Sequence, residues 1–109
     1  MSTSPARGDV FLVALDPTRG SEIAKTRPCA VVSPDELNAH LRTVTVVPMT
    51  TSERRYRFRV DVSFAGKEGV LALDQIRTID KSRLVKRVGN LDRGTQRRLG
   101  LSLAEYFAW

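Results

Sequence analysis

Six short β-forming runs divide this chain of 109 residues: Asp9–Leu15, Cys29–Val32, Thr43–Pro48, Arg57–Ser63, Gly69–Ala72 and Val85–Gly89. Branched and aromatic side chains are frequent in them, and none approaches the ~20 apolar residues of a membrane span. Turn-forming sequences such as Ala65-Gly66-Lys67 and Gly89-Asn90 separate them. Such a chain must pair many short strands, which predicts a mainly β fold with a small closed sheet, formed as one domain over residues 1–109. Two helices are predicted as well. Ser33-Pro34-Asp35-Glu36 has the pattern of a capping box, with serine as N-cap, and opens a short helix to about Leu41. Asp92 is placed to cap a last helix in which Leu99, Leu103, Tyr106 and Phe107 recur at i, i+4, i+7 and i+8.

Between the first two runs lies a long polar stretch, Asp16-Pro17-Thr18-Arg19-Gly20-Ser21-Glu22-Ile23-Ala24-Lys25-Thr26-Arg27-Pro28. Loops of about a dozen residues are uncommon in small domains unless they carry function. A solvated connection is the plain alternative. An arginine directly before a proline is biased towards extended geometry, which limits where Arg27 can point. A second patterned stretch is Arg54-Arg55-Tyr56-Arg57-Phe58-Arg59-Val60. Its alternation predicts a strand with Arg55, Arg57 and Arg59 on one face and Tyr56, Phe58 and Val60 on the other. Aligned guanidiniums suit phosphates or unpaired bases, and equally suit a solvated outer face.

The net charge is +6, and residues 52–109 supply all of it with thirteen Lys/Arg against seven Asp/Glu. That asymmetry points to an anionic partner, either nucleic acid or an acidic protein. His40 is the only histidine, so a histidine acid–base pair and a His/Cys metal cluster are excluded by count. The carboxylates show no metal-ligand spacing, and nothing resembles a glycine-rich phosphate cradle or a Ser/His/Asp set. No metal or cofactor is expected. Cys29, the only cysteine, sits in an apolar run and reads as a buried structural thiol. With no internal disulfide possible, and with a short polar start at Met1–Ala6, the expectation is a soluble cytoplasmic protein and no membrane partner.

Three blocks stand in order along the chain. The first comprises Arg7-Gly8-Asp9-Val10, the Asp16–Glu22 stretch and Arg27-Pro28. Val46-Val47-Pro48-Met49-Thr50 and Leu73-Asp74-Gln75-Ile76-Arg77-Thr78-Ile79-Asp80-Lys81 follow. Together they resemble the MazF/PemK toxins of bacterial toxin–antitoxin systems, over nearly the whole chain. The resemblance implies a small SH3-like barrel of the CcdB/PemK type with a C-terminal α-helix. It implies a metal-independent, sequence-specific endoribonuclease that cuts single-stranded RNA, chiefly mRNA, to 2′,3′-cyclic phosphate and 5′-hydroxyl ends. It also implies a homodimer and a cognate acidic antitoxin.

By the same resemblance Glu22 corresponds to the proposed base, Arg27 to the acid or phosphate binder, and Thr50 to a catalytic threonine. An arginine keeps its proton at neutral pH, so Arg27 suits a bidentate clamp on phosphorane charge better than proton transfer. An ion pair with Glu22 or Asp16 is its structural alternative. Thr51 and Ser52 are rival hydroxyls beside Thr50. Asp74 is a second candidate base, since another branch of the family uses an aspartate in this block. That branch also has an arginine where this chain has Ala72 and a histidine where it has Ser21, and both departures favour Glu22. Candidate RNA-binding residues are Arg19, Ser21, Lys25, Thr51, Arg55, Arg57, Arg59, Gln75 and Arg77. For Arg77 and Asp80 the alternative role is to hold a strand end and loop together. Two rival functions remain open at this level: a CcdB-like DNA gyrase inhibitor, prompted by the terminal Trp109, and a non-catalytic RNA-binding module.

Overall fold

Strand β3 (Thr43–Thr50) changes partners along its length, and that exchange organises the molecule. The computed structural model describes residues 4–51 and 56–109. On one side β3 pairs with β2 (Thr26–Val31) through Val46, Val47 and Pro48. On the other it pairs first with β6 (Arg77–Asp80) through Thr43–Val46, and then with β5 (Lys67–Ala72) through Met49 and Thr50. The main path runs β4-β5-β3-β2-β1-β7, where β1 is Asp9–Ala14, β4 is Arg59–Phe64 and β7 is Leu84–Asn90. Every pairing is antiparallel. Helix α1 (Asp35–His40) connects β2 to β3, and α2 (Arg93–Tyr106) follows β7.

Alternate residues of β1, β2 and β3 face opposite sides of the sheet, as the strand repeat of two requires. Val10, Ala30, Val47 and Met49 join Val62, Leu71, Leu73 and Leu99 in one buried cluster. Val13, Cys29, Val31, Val44 and Val46 join Leu15 and Ile79 in a second. The central strands are therefore covered on both faces, which is why they read as continuous apolar runs. Cys29 is the buried thiol expected; burial pushes its pKa up to about 12, with Arg77 opposing. A thiol held protonated in this way is not a nucleophile at neutral pH.

The fold class is as expected, mainly β with a short helix and a C-terminal one, but among the described residues the sheet stops short of hydrogen-bonded closure. Its ends approach at one point: a Cβ on Gly89, where φ is +152, would stand 3.0 Å from the Phe64 ring. The predicted capping box does not form. Pro34 is the N-cap of α1, while the Ser33 hydroxyl donates to Asn38 Oδ1 (2.5 Å) and accepts from the Thr45 amide (3.0 Å). Both Ser33 and Asn38 are buried, so they satisfy each other and β3 rather than the exposed helix start. Asp92 does cap α2, accepting from the Thr95 amide at 2.7 Å. Leu99 and Leu103 pack on the core, Tyr106 packs edge-on against Phe58 with ring centres 5.3 Å apart, and Phe107 is more than half exposed.

The alternating-arginine strand is also corrected. Arg57 and Phe58 form a turn, Phe58 has φ +68, and β4 begins only at Arg59. A positive φ breaks the strand repeat, so Arg57 and Arg59 do not line one face. Arg55 lies outside the described residues.

Candidate active site

Two prolines open the sheet where the first and second sequence blocks meet. Pro28 stands in β2 opposite Leu12, and Pro48 stands in β3 opposite Cys29. Neither has an N–H to give a ladder. The β2–β3 pairing ends at Cys29–Pro48, and the same register carried onward sets Arg27 against Thr50. A cavity of about 350 Å³ lies there, lined by Arg27, Pro28, Thr50 and Thr51. Leu12, Met49, Val62, Phe64 and Val88 supply apolar walls, and Lys67, Glu68 and Gly69 complete the rim. Its size and its few polar groups on an apolar lining suit a small-molecule or nucleotide moiety. A second cavity of about 280 Å³ lies between α2 and the sheet, but its lining is apolar apart from Arg7 and Gln96. Arg7 Nε there donates to the Val32 carbonyl, and Gln96 donates to the Leu91 carbonyl.

The long first connection is shorter than its sequence suggests, because Thr26, Arg27 and Pro28 belong to β2. What remains, residues 15–25, is tied at its base. The Leu15 amide donates to the Lys25 carbonyl at 2.9 Å, and the Asp16 carboxylate accepts from the Thr18 hydroxyl (2.8 Å) and the Lys25 amide (3.1 Å). Arg83 donates to the carbonyls of Ala14 (3.0 Å) and Asp16 (2.7 Å), and Arg77 to that of Leu15 (3.2 Å). Further along, the Ile23 amide donates to Gln75 Oε1 at 3.2 Å, and the Ile23 side chain packs on the second core cluster. The loop is a built element.

Arg27 Nε donates to the Ala24 carbonyl at 3.2 Å, and no described carboxylate forms an ion pair with its guanidinium. The pairing with Glu22 or Asp16 offered as an alternative is absent. Glu22 is exposed and turns back on its own loop, accepting from the Arg19 amide at 2.9 Å. It does not line the cavity that Arg27 and Thr50 share. Arg19, Ser21 and Lys25 are exposed on the same loop.

Asp74 is engaged elsewhere. Arg59 grips its carboxylate with two hydrogen bonds of 2.8 Å, from Nε and Nη2. The guanidinium holds the Asp74 carboxyl below the usual carboxylate range, and Asp74 in turn raises the pKa of Arg59. Arg57 lies 4.5 Å over the Phe58 ring and 3.7 Å from Glu105, in a pair exposed on both sides. Arg77 and Asp80 are both structural but not with each other: Asp80 accepts from the Ser82 amide at 2.8 Å. His40 is exposed on α1. Among the described residues no three His, Cys, Asp or Glu side chains come together as a metal site.

Sequence reading missed the contribution of β5. Lys67, Glu68 and Gly69 reach the cavity because β5 takes over from β6 as the partner of β3, an exchange no local pattern announces. Gly69 carried the one available signal, a glycine inside a strand run, which often marks close approach by another backbone. A Cβ there would stand 2.6 Å from the Thr50 carbonyl oxygen. Gly69→Ala should therefore destabilise the fold by about 1–3 kcal/mol, because a backbone obstacle cannot rotate away. It should also slow any reaction carried at this cavity by at least about tenfold through displacement of Thr50. Thermal melts and single-turnover assays check both.

The comparisons with known proteins bear on the family and the fold. The family model for the PemK-like, MazF-like toxin of type II toxin–antitoxin systems matches residues 6–107. The chain is 40% identical over 75 residues to the endoribonuclease toxin MazF of Escherichia coli strain K12, a match covering 69% of this chain and 68% of that protein. It is 35% identical over 92 residues to the endoribonuclease EndoA of Bacillus subtilis strain 168, covering 79% of each. MazF from Deinococcus radiodurans superposes with a TM-score of 0.85 at 23% identity, covering 96% of this chain and 97% of that one, a likeness of fold. An endoribonuclease solved with its cognate antitoxin, from a mycobacterial species, superposes with a TM-score of 0.81 at 25% identity, covering 97% and 99%.

Proposed function

The chain belongs to the PemK-like, MazF-like toxins of type II toxin–antitoxin systems, and on that premise we infer that it is an endoribonuclease acting on single-stranded RNA through the Arg27–Thr50 cavity. The observation that carries this reading is the meeting of Arg27 and Thr50, from facing strands, at a cavity opened by Pro28 and Pro48. RNA supplies its own nucleophile, which suits so spare a site. A base takes the 2′-hydroxyl proton, the 2′-oxygen bonds to the adjacent phosphorus, and the bond from phosphorus to the 5′-oxygen breaks. The 5′-oxygen leaves with a proton, giving a 2′,3′-cyclic phosphate and a 5′-hydroxyl. Arg27, which pairs with no carboxylate among the described residues, offers a planar fork to the equatorial oxygens as their charge develops. Thr50 and Thr51 offer hydroxyls to the same phosphate.

Glu22 is the better candidate base. A carboxylate gripped by arginine on both oxygens, as Asp74 is, makes a poor proton acceptor at neutral pH. Glu22 sits five residues before Arg27 and accepts from the Arg19 amide, with no arginine side chain gripping its carboxylate among the described residues. Arg19, Ser21 and Lys25 extend the same exposed loop as contacts for the flanking RNA. The basic half of the chain suits a flexible, acidic antitoxin as partner, and a homodimer is the proposed assembly. No helix among the described residues is long and apolar enough to cross a membrane, and a lone buried thiol suits the proposed cytoplasmic setting.

The test is a long single-stranded RNA incubated with purified protein in EDTA. Fragments with 5′-hydroxyl and 2′,3′-cyclic phosphate ends are expected. Loss of cutting on chelation, or 5′-phosphate ends, would replace this reading with metal-assisted hydrolysis.

A further inference from the structure

Between β5 and β6 the chain makes a single 3₁₀ turn, Leu73–Gln75, whose three residues reach both the start of β4 and the β1–β2 loop that leads to Arg27. Towards the β4 end, the Leu73 amide donates to the Phe58 carbonyl at 3.3 Å, and Asp74 holds Arg59 through two bonds of 2.8 Å. Arg59 is the residue where β4 starts; its amide donates to the Tyr56 carbonyl (3.1 Å), and its guanidinium lies 5.4 Å from the Tyr56 ring centre. Towards the β1–β2 loop, Gln75 Oε1 accepts from the Ile23 amide, one residue past Glu22. The Leu73 side chain is fully buried, so the turn is fixed to the core from below.

We propose that this turn is a positioning bracket for RNA cleavage, in which Gln75 sets the placement of the Glu22 loop while the Asp74–Arg59 pair fixes the start of β4. The inference rests on the endoribonuclease reading. Neither Asp74 nor Gln75 touches the substrate in this arrangement. Their acceptor oxygens are spent on protein groups, so both act through the residues they hold.

Five variants test it: Gln75→Leu, which removes the acceptor; Gln75→Glu, which keeps one; Asp74→Asn; and Arg59→Met, alone and combined with Asp74→Asn. Displacing a catalytic loop by a fraction of an ångström costs rate more than affinity. Gln75→Leu should lower kcat by about tenfold with KM changed less than about twofold. Gln75→Glu should restore kcat to within about threefold of the parent, as an acceptor role requires. Asp74→Asn and Arg59→Met should each lower kcat by a similar factor, with the double variant no worse than the poorer single, because the two belong to one interaction. Amide exchange at Ile23 should accelerate in Gln75→Leu and not in Gln75→Glu. That readout needs no activity, so it tests the bracket even if the parent protein fails to cut RNA, a result that would sink the endoribonuclease reading instead.

Three outcomes would overturn the proposal. A loss of about 10²–10⁴ in Asp74→Asn, with a shifted acid limb of the kcat profile and a milder Arg59→Met, would make Asp74 the base. A raised KM and a salt slope flattened by about 0.7 in Arg59→Met alone would make Arg59 a phosphate contact. Unchanged Ile23 exchange and kcat in Gln75→Leu would leave Gln75 without a positioning role.

Discussion

Arg27→Ala should slow single-turnover cleavage of a short RNA by about 10²–10³, the loss expected when one preorganised donor to a developing oxyanion is removed. The side chain lines the cavity, is exposed, and makes a single hydrogen bond to the Ala24 carbonyl among the described residues. Its removal should therefore leave stability within about 0.5 kcal/mol of the parent. Arg27→Lys keeps the charge but not the planar fork, so it should recover only part of the rate. Cleavage at the parent rate by Arg27→Ala would remove the clamp role altogether. A large drop in melting temperature would instead mean that Arg27 holds the β1–β2 loop.

Leu71→Ala should have the opposite profile, with a large stability loss. Leu71 is fully buried in β5, paired with Met49 and Val60 beside the Thr50–Val70 pair. Truncating such a side chain costs about 2–5 kcal/mol in lost burial and residual cavity. A small domain has only about 5–15 kcal/mol to lose. Urea denaturation should show a lowered midpoint with an unchanged slope, and the thermal midpoint should fall by roughly 10 °C or more. Residual cleavage below the new midpoint should stay far above that of Arg27→Ala. A loss under about 1 kcal/mol would mean that this cluster repacks freely and does not hold β5 against β3.

Strands β1, β2, β3 and β5 were legible because buried strands read as apolar runs, β7 because a Gly89-Asn90 turn signal closes it although most of it is exposed, and the Asp92 cap because it is local. Strand β6 was not: Arg77–Asp80 is too short and too polar to stand out from the block around it. The Arg55/Arg57/Arg59 pattern misled because alternation describes side chains and is blind to a positive φ, which Phe58 adopts. Within the site, Arg27 and Thr50 were found from their blocks, but the cavity between them depends on β3 leaving β6 for β5. That exchange joins residues far apart in the chain, and so does the Arg59–Asp74 pair, which spans 15 positions. Asp74 looked like a second base until its partner was in view. Trp109, which prompted the gyrase alternative, is fully exposed.

The central claim is that the substrate's own 2′-hydroxyl attacks the phosphate at the Arg27–Thr50 cavity. An RNA with one 2′-deoxy nucleotide immediately 5′ of the scissile phosphate tests it most directly. The backbone charge is unchanged, so binding should persist at the parent affinity and salt dependence, while cutting at that bond should vanish. Cleavage of the deoxy substrate at the same bond would contradict the account, because water or a protein group would then have to be the nucleophile.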